Sequence, residues 1–90
     1  MNEDKFNAIV SYLNGAEREL AQNFSKHKMV VARTCLEAGF VENVLNAPML
    51  RSLINLLAPF TKNNKVKTAV KMLQEGLEEE KLKEKKHGGK

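Results

Sequence analysis

The first part of the chain repeats apolar side chains at steps of three and four, the spacing of one helix face. These positions are Phe6, Ile9, Val10, Leu13, Leu20 and Phe24. The pattern predicts a helix from Asp4 to Phe24, with Asn2 or Asp4 as its N-cap. Alternatively, Asn14 and Gly15 end one helix and a new one follows. The apolar phase continues through Gly15 without a slip, which favours the single helix.

A second helix is predicted from Lys26 to Ala38, with Ser25 as N-cap and Gly39 just past its end. Its apolar residues fall on two sides, Met29, Ala32 and Leu36 on one and Val31, Cys35 and Ala38 on the other. A helix that is apolar on two sides packs between neighbours, so we expect this one to be the central helix of a bundle. We expect Cys35 to be a small buried hydrophobe rather than a nucleophile, because no histidine lies near it in sequence.

The next segment, Phe40 to Leu45, has helical spacing for one or two turns. A third helix is predicted from Pro48 to Ala58, because proline is tolerated at a first helical position and Pro59 cannot continue the helix. This helix is apolar on most of its circumference. It is therefore the most hydrophobic element of the protein.

The last helix is predicted to start at Asn63 or Asn64. Its apolar face holds Val66, Ala69, Val70, Leu73 and Leu77. Beyond Leu77 the same face is charged, so the helix either projects into solvent or frays, and the residues from His87 to Lys90 are expected to be disordered.

Together these elements predict an all-α fold, a compact bundle of four main helices plus a short linking helical turn. A chain of 90 residues supports one modest core. We therefore predict a single helical domain over residues 1–80 and a charged, frayed or disordered tail over residues 81–90.

Candidate chemistry is sparse. The sequence has one cysteine and two histidines, and it contains no serine, histidine and carboxylate arrangement, glycine-rich phosphate loop, H-E-x-x-H or C-x-x-C. We predict no enzymatic activity, no cofactor, no metal site and no small-molecule substrate. No apolar run approaches the length of a membrane helix and the first residues do not resemble a secretory signal, so we expect a cytoplasmic protein without membrane contact.

The net charge of +4 is unevenly distributed. Four lysines, at positions 62, 65, 67 and 71, open the last helix, and Glu75, Glu78, Glu79 and Glu80 follow, which is the reverse of the order that the helix dipole favours. One interpretation is a nucleic-acid-binding patch formed by Lys26, Lys28, Lys62, Lys65, Lys67 and Lys71. The other is an ordinary solvated face on which Lys67, Lys71, Glu75 and Glu79 pair at steps of four. Few arginines or free aromatics are present to read bases.

The apolar surplus favours a different function. The core of so short a chain does not easily cover a helix that is apolar on most sides, so part of that surface is expected to bind protein. We predict a small protein-binding or self-associating module, an accessory or regulatory protein that forms a homo-oligomer or binds a protein partner through Met49, Leu53 and Leu56. Nucleic-acid binding is the alternative. Glu17 and Arg33 fall within apolar stripes of consecutive helices and are expected to pair with each other.

Overall fold

The computed structural model describes residues 1–20 and 23–88, without the side chains of residues 23, 24 and 84–88. It contains α1 (Glu3–Glu19), α2 (Asn23–Val41), α3 (Ala47–Leu57), a short 3-10 helix (Ala58–Phe60) and α4 (Asn64–Gly88). No strand occurs in these described ranges. The prediction of a compact all-α bundle with four main helices is confirmed. The short helical piece, however, follows α3 rather than preceding it.

Helix α1 begins as the sequence indicates and ends early. The side chain of Asn2 accepts a hydrogen bond of 2.8 Å from the backbone N–H of Lys5, which caps the helix. The helix runs through Gly15 without a break, as predicted. It ends at Glu19 because Leu20 has an extended backbone (φ −83°, ψ 111°), so the predicted end at Phe24 is wrong.

Helix α2 is longer than predicted at both ends. It starts at Asn23, so Ser25 lies inside it and is buried instead of capping it. Gly39 also lies inside the helix, where a Cβ atom would be 2.6 Å from Leu45 Cδ2 and 2.9 Å from Met49 Sδ. Glycine at this position therefore allows the close approach of α2 to the start of α3.

Asn43, rather than Gly39, terminates α2. Its φ of 58° lies in the left-handed region, which asparagine tolerates better than most residues. The N–H of Val44 donates to the carbonyl of Gly39 (2.9 Å), and the N–H of Asn43 donates to that of Phe40 (3.1 Å). This pair of bonds is a Schellman motif, and it occupies the segment predicted to be a separate helical turn.

Helices α2 and α4 each pack against both α1 and α3, and α4 does so more extensively. Helix α2 thus has two neighbours, as expected, without being the single central helix of the bundle. The core consists of Ile9, Leu13, Ala16, Met29, Ala32, Leu36, Ala47, Leu50, Leu53, Leu57, Val66, Ala69, Val70, Leu73 and Leu77.

Two ion-pair contacts show that α1 and α4 are antiparallel. Lys5, near the start of α1, lies 3.3 Å from Glu79, and Glu19, at its end, contacts Lys65 near the start of α4. Helix α4 continues past Leu77, the last apolar core residue, to Gly88. Residues 81–88 of the predicted tail are thus helical, and residues 89–90 lie outside the described ranges. None of the described helices has the length and apolarity to span a membrane.

Candidate functional site

The outward side of α2 is the candidate site, and it follows from two rows of residues with identical spacing. The inner row, at steps of four and three, is Ser25, Met29, Ala32, Leu36 and Gly39, all of them buried. The outer row repeats those steps two residues later, as His27, Val31, Thr34, Ala38 and Val41. Two residues correspond to about 200° around a helix, so the rows lie on nearly opposite sides of α2.

The outer row faces solvent. Val41 is 82% exposed, His27, Thr34 and Ala38 are exposed, and Val31 is half-buried. A shallow depression over the second half of the row is lined by Thr34, Glu37, Ala38, Val41 and Glu42. The row holds the polar His27 and Thr34 besides Val31, Ala38 and Val41. Its alternating steps of four and three are the spacing by which one helix packs against another, and here it has no partner helix within the described part of the bundle.

Cys35 lies beside this row and is exposed, so the prediction that it is buried is wrong. The error has the same cause as the misplaced central helix. Val31, Cys35 and Ala38 do form a second side of the helix, as the sequence indicated, but no other helix of the bundle covers it. His27, Thr34 and Val41 were not identified from the sequence, although their spacing repeats that of the inner row.

The two ends of the outward side of α2 differ in charge. Lys26, His27 and Lys28 lie in its first two turns, and Glu42 directly follows its last residue. Arg33 and Glu37 form a pair on one edge of the outer face, with Nε of Arg33 3.7 Å from Glu37. The outer row between these ends holds uncharged side chains, with a basic end and an acidic end.

Arg33 fixes α2 against α1. Its Nη1 lies 2.5 Å from Glu17 Oε1 and donates to the side-chain oxygen of Asn14. The predicted pairing of Glu17 with Arg33 is confirmed. These partners already satisfy the guanidinium at the α1–α2 seam, so its role is structural.

The sequence-predicted protein interface on α3 is only partly exposed in the monomer. Leu53 is 4% exposed and belongs to the core, while Leu56 is half-buried against that core. Met49 is half-buried, and its thioether approaches Gly39 of α2. Met49 and Leu56 thus keep part of their apolar surface exposed, and the most exposed large apolar side chains of the described residues are Val41 of α2 and Leu82 of α4.

The predicted lysine patch is only partly assembled. Lys65 pairs with Glu19, whereas Lys26, Lys62, Lys67 and Lys71 are exposed. Since α2 follows α1 in an antiparallel hairpin and α4 is antiparallel to α1, Lys26, Lys28, Lys62 and Lys65 lie at one end of the bundle. The acidic residues of the second half of α4 lie toward the opposite end.

The acidic residues that were expected to pair along α4 bind α1 instead. Lys5 contacts Glu75 at 3.6 Å and Glu79 at 3.3 Å. Lys67 and Lys71 consequently make no ion pair with any residue in the described part of the chain. The predicted side-chain pairs of the solvated face are thus not formed among the described residues.

An open cleft of about 430 Å³ adjoins the C-terminal end of α2, between the Schellman turn and the second half of α4. Glu80 and Lys83 line it and contact each other at 3.5 Å. The described residues of its lining include no histidine or cysteine and bring no set of reactive groups together. Across the described residues, no three histidine, cysteine or carboxylate side chains are grouped so as to hold a metal ion.

Comparison of the chain with protein families, curated proteins and solved structures gives no match. The inference of function therefore depends on the outward side of α2 and on the charges at the two ends of the bundle.

Proposed function

We propose that this chain is a small, non-enzymatic protein-interaction module that binds a helix along the outward side of α2. The observation that carries the proposal is the outer row, which has the spacing of a helix-pairing seam and stays exposed although the bundle core is complete. Stability of the monomer does not require apolar side chains there. A partner helix would remove Val41 and its neighbours from water.

The size of the surface indicates the kind of binding. The row from His27 to Val41 is about 21 Å long at 1.5 Å per residue. A stable interface removes about 800 Å² from each partner, and a single pair of four-turn helices covers less than that. The binding is therefore of modest affinity, which suits an accessory or regulatory protein whose contacts are reversible.

Site-specific photo-crosslinking tests this proposal. A photoreactive amino acid at Thr34, in the native cells, is expected to give a discrete adduct with one protein, whereas the same probe at Ser11, exposed on α1, is not. The partner, identified by mass spectrometry and purified, should bind the unmodified chain. Absence of any adduct from position 34 would contradict the proposal.

A charged substitution in the outer row tests the proposal by a measured change in affinity. Ala38→Arg should lower the affinity for the purified partner at least about tenfold by calorimetry, because an arginine would have to be desolvated within the seam. Ser11→Arg is the matched control and should bind like the unmodified chain. Both residues are exposed, so both variants should unfold at the temperature of the parent. Equal affinities of the two variants would place the binding surface elsewhere.

A second candidate function is binding of nucleic acid at the basic end of the bundle. The observation that favours it is the contact of Glu75 and Glu79 with Lys5, which leaves Lys67 and Lys71 without an ion pair among the described side chains. Together with Lys62 and Lys26, these lysines could neutralise phosphates without reading bases.

Fluorescence anisotropy with mixed-sequence DNA and RNA tests this alternative. Affinity should fall steeply with salt, and Lys67→Glu with Lys71→Glu should lower it at least about tenfold at low salt. The matched control is Lys81→Glu with Lys83→Glu, which changes the same charge further along α4. No binding at low salt, or an equal loss in both variants, would exclude a site at Lys67 and Lys71.

A further inference from the structure

We infer that the helix bound by α2 is the α2 of a second copy of the chain, packed antiparallel across a twofold axis near Leu36. The inference rests on the proposed function, since it names the partner of the same surface. It follows from the order of residues along the outer row and along the edges of that row. Leu36 itself points into the core and serves only to mark the level of the axis.

The part of the outer row from Val31 to Val41 has the same spacing when it is reversed. Positions that add to 72 lie opposite each other across an axis at residue 36, which pairs Val31 with Val41 and Thr34 with Ala38, each pair occurring twice. Val41, the most exposed of these side chains, is thus covered by a half-buried valine of the other copy. The small side chains at the centre allow the two helices to approach to about 8 Å.

Charge complementarity selects the antiparallel arrangement. Lys28, Cys35 and Glu42 each follow a residue of the outer row and form one edge of it. A twofold axis across the seam brings this edge of one copy against the same edge of the other. With the axis at residue 36, position 28 lies opposite position 44, so every Lys28 lies within two residues of the level of a Glu42 of the other copy. Lys28 has an interaction within its own chain, and the pairing requires only that its charge approaches Glu42.

A parallel pair would be disfavoured. It would place the two basic ends of α2 side by side and the two acidic ends side by side, and like charges in contact are destabilising. In the antiparallel pair the closest like charges are the two Glu37 carboxylates near the axis. Each of these carboxylates already lies beside Arg33 of its own chain, which reduces their repulsion.

The first test measures the mass of the purified full chain in solution and the crosslinking of one copy to another. Sedimentation equilibrium should show a reversible dimer as concentration rises, and Ala38→Arg should keep the chain monomeric at the same concentrations. A short bis-maleimide should link two chains through Cys35. The matched control moves the thiol to α1, as Cys35→Ser with Ser11→Cys, and should give no linked dimer.

A charge exchange tests the antiparallel register. Lys28→Glu and Glu42→Lys should each weaken the dimer about tenfold, because each change places like charges together. Both changes in one chain should restore the dimer constant to near the parent value, since the opposite charges are then exchanged. Failure of the double variant to recover would overturn the antiparallel register.

The failure of this inference is distinguishable from failure of the proposed function. A chain that stays monomeric and is not linked through Cys35 overturns pairing with a second copy. If the photoreactive probe at Thr34 still captures a different protein that binds after purification, the α2 surface remains an interaction site with another occupant. A dimer that Ala38→Arg leaves unchanged would overturn the inference as well, because the copies would then meet through another surface.

Discussion

At the scale of single residues, Glu19 joins the end of α1 to the start of α4. Its carboxylate accepts hydrogen bonds from Lys65 Nζ and, at 2.9 Å, from Asn63 Nδ2. These hydrogen bonds lower the pKa of Glu19 below the usual value of a glutamate, and the bond from Lys65 has the larger effect. The same Asn63 side chain caps α4 by accepting from the N–H groups of Lys65 and Val66.

The lowered pKa of Glu19 predicts a small loss of stability in acid. A carboxylate whose pKa is lower in the folded chain stabilises the fold above its unfolded pKa of about 4.3, and this contribution disappears as the pH falls through the folded pKa. The effect is small because the group is exposed. In a carbon-13 NMR titration, Lys65→Met should raise the pKa of Glu19 toward the ordinary value. An unchanged pKa would show that Lys65 is not its cause.

Residue-level signals in the sequence identified the starts of α1 and α4 but not that of α2, where Ser25 was expected to be the N-cap. Asn2 and Asn63 were identified as possible starts from their capping preference, and both caps form. Gly39 was taken as a helix stop, yet it lies in α2 because the backbone there approaches Leu45. The actual stop at Asn43 has the weaker sequence signal, since asparagine adopts the left-handed conformation less readily than glycine.

At the scale of elements, α3 shows how a helix that is apolar on most sides is divided between core and boundary. Leu50, Leu53 and Leu57 are buried, whereas Leu56 is half-buried on the flank of the same helix. The sequence alone treated Leu53 and Leu56 as one surface. Their different burial makes them a matched pair for testing where the core ends.

The division of α3 predicts unequal costs for the same substitution. Leu53→Ala should lower the free energy of unfolding by about 2–5 kcal/mol, as expected for a buried leucine. Leu56→Ala should cost clearly less, because it removes less buried surface and leaves no enclosed cavity. Urea denaturation followed by circular dichroism measures both values. Equal costs would contradict the assignment of Leu53 to the core and Leu56 to its edge.

Helix α2 explains why the candidate site could be predicted only in part. Periodicity revealed two apolar sides, but the same steps of four and three occur on both, so the pattern does not state which side meets the bundle. The structure buries the side with Met29 and Leu36, the larger side chains, and exposes the side with Thr34 and Ala38. Tertiary packing decides this choice, and the apolar period of the isolated helix does not contain it.

At the scale of the whole molecule, the fold class was predictable because each helix has a clear apolar period. The arrangement was not, because α2 was expected to be the central helix, whereas α2 and α4 share the position against α1 and α3. This position follows from contacts between residues distant in sequence, such as Lys5 with Glu79. The segregation of charge between the two ends likewise becomes visible only after the helices are placed antiparallel.

The extension of α4 beyond the core gives the molecule an elongated outline of 49 × 23 × 20 Å. Its radius of gyration is 13.3 Å, whereas a compact chain of this length has about 12 Å. Friction with the solvent rises as a particle departs from a sphere, so the monomer elutes from a gel-filtration column ahead of compact proteins of equal mass. A mass read from a calibrated elution volume would therefore be too large for the monomer. The number of copies joined at α2 should be measured by a method that reports mass independently of shape.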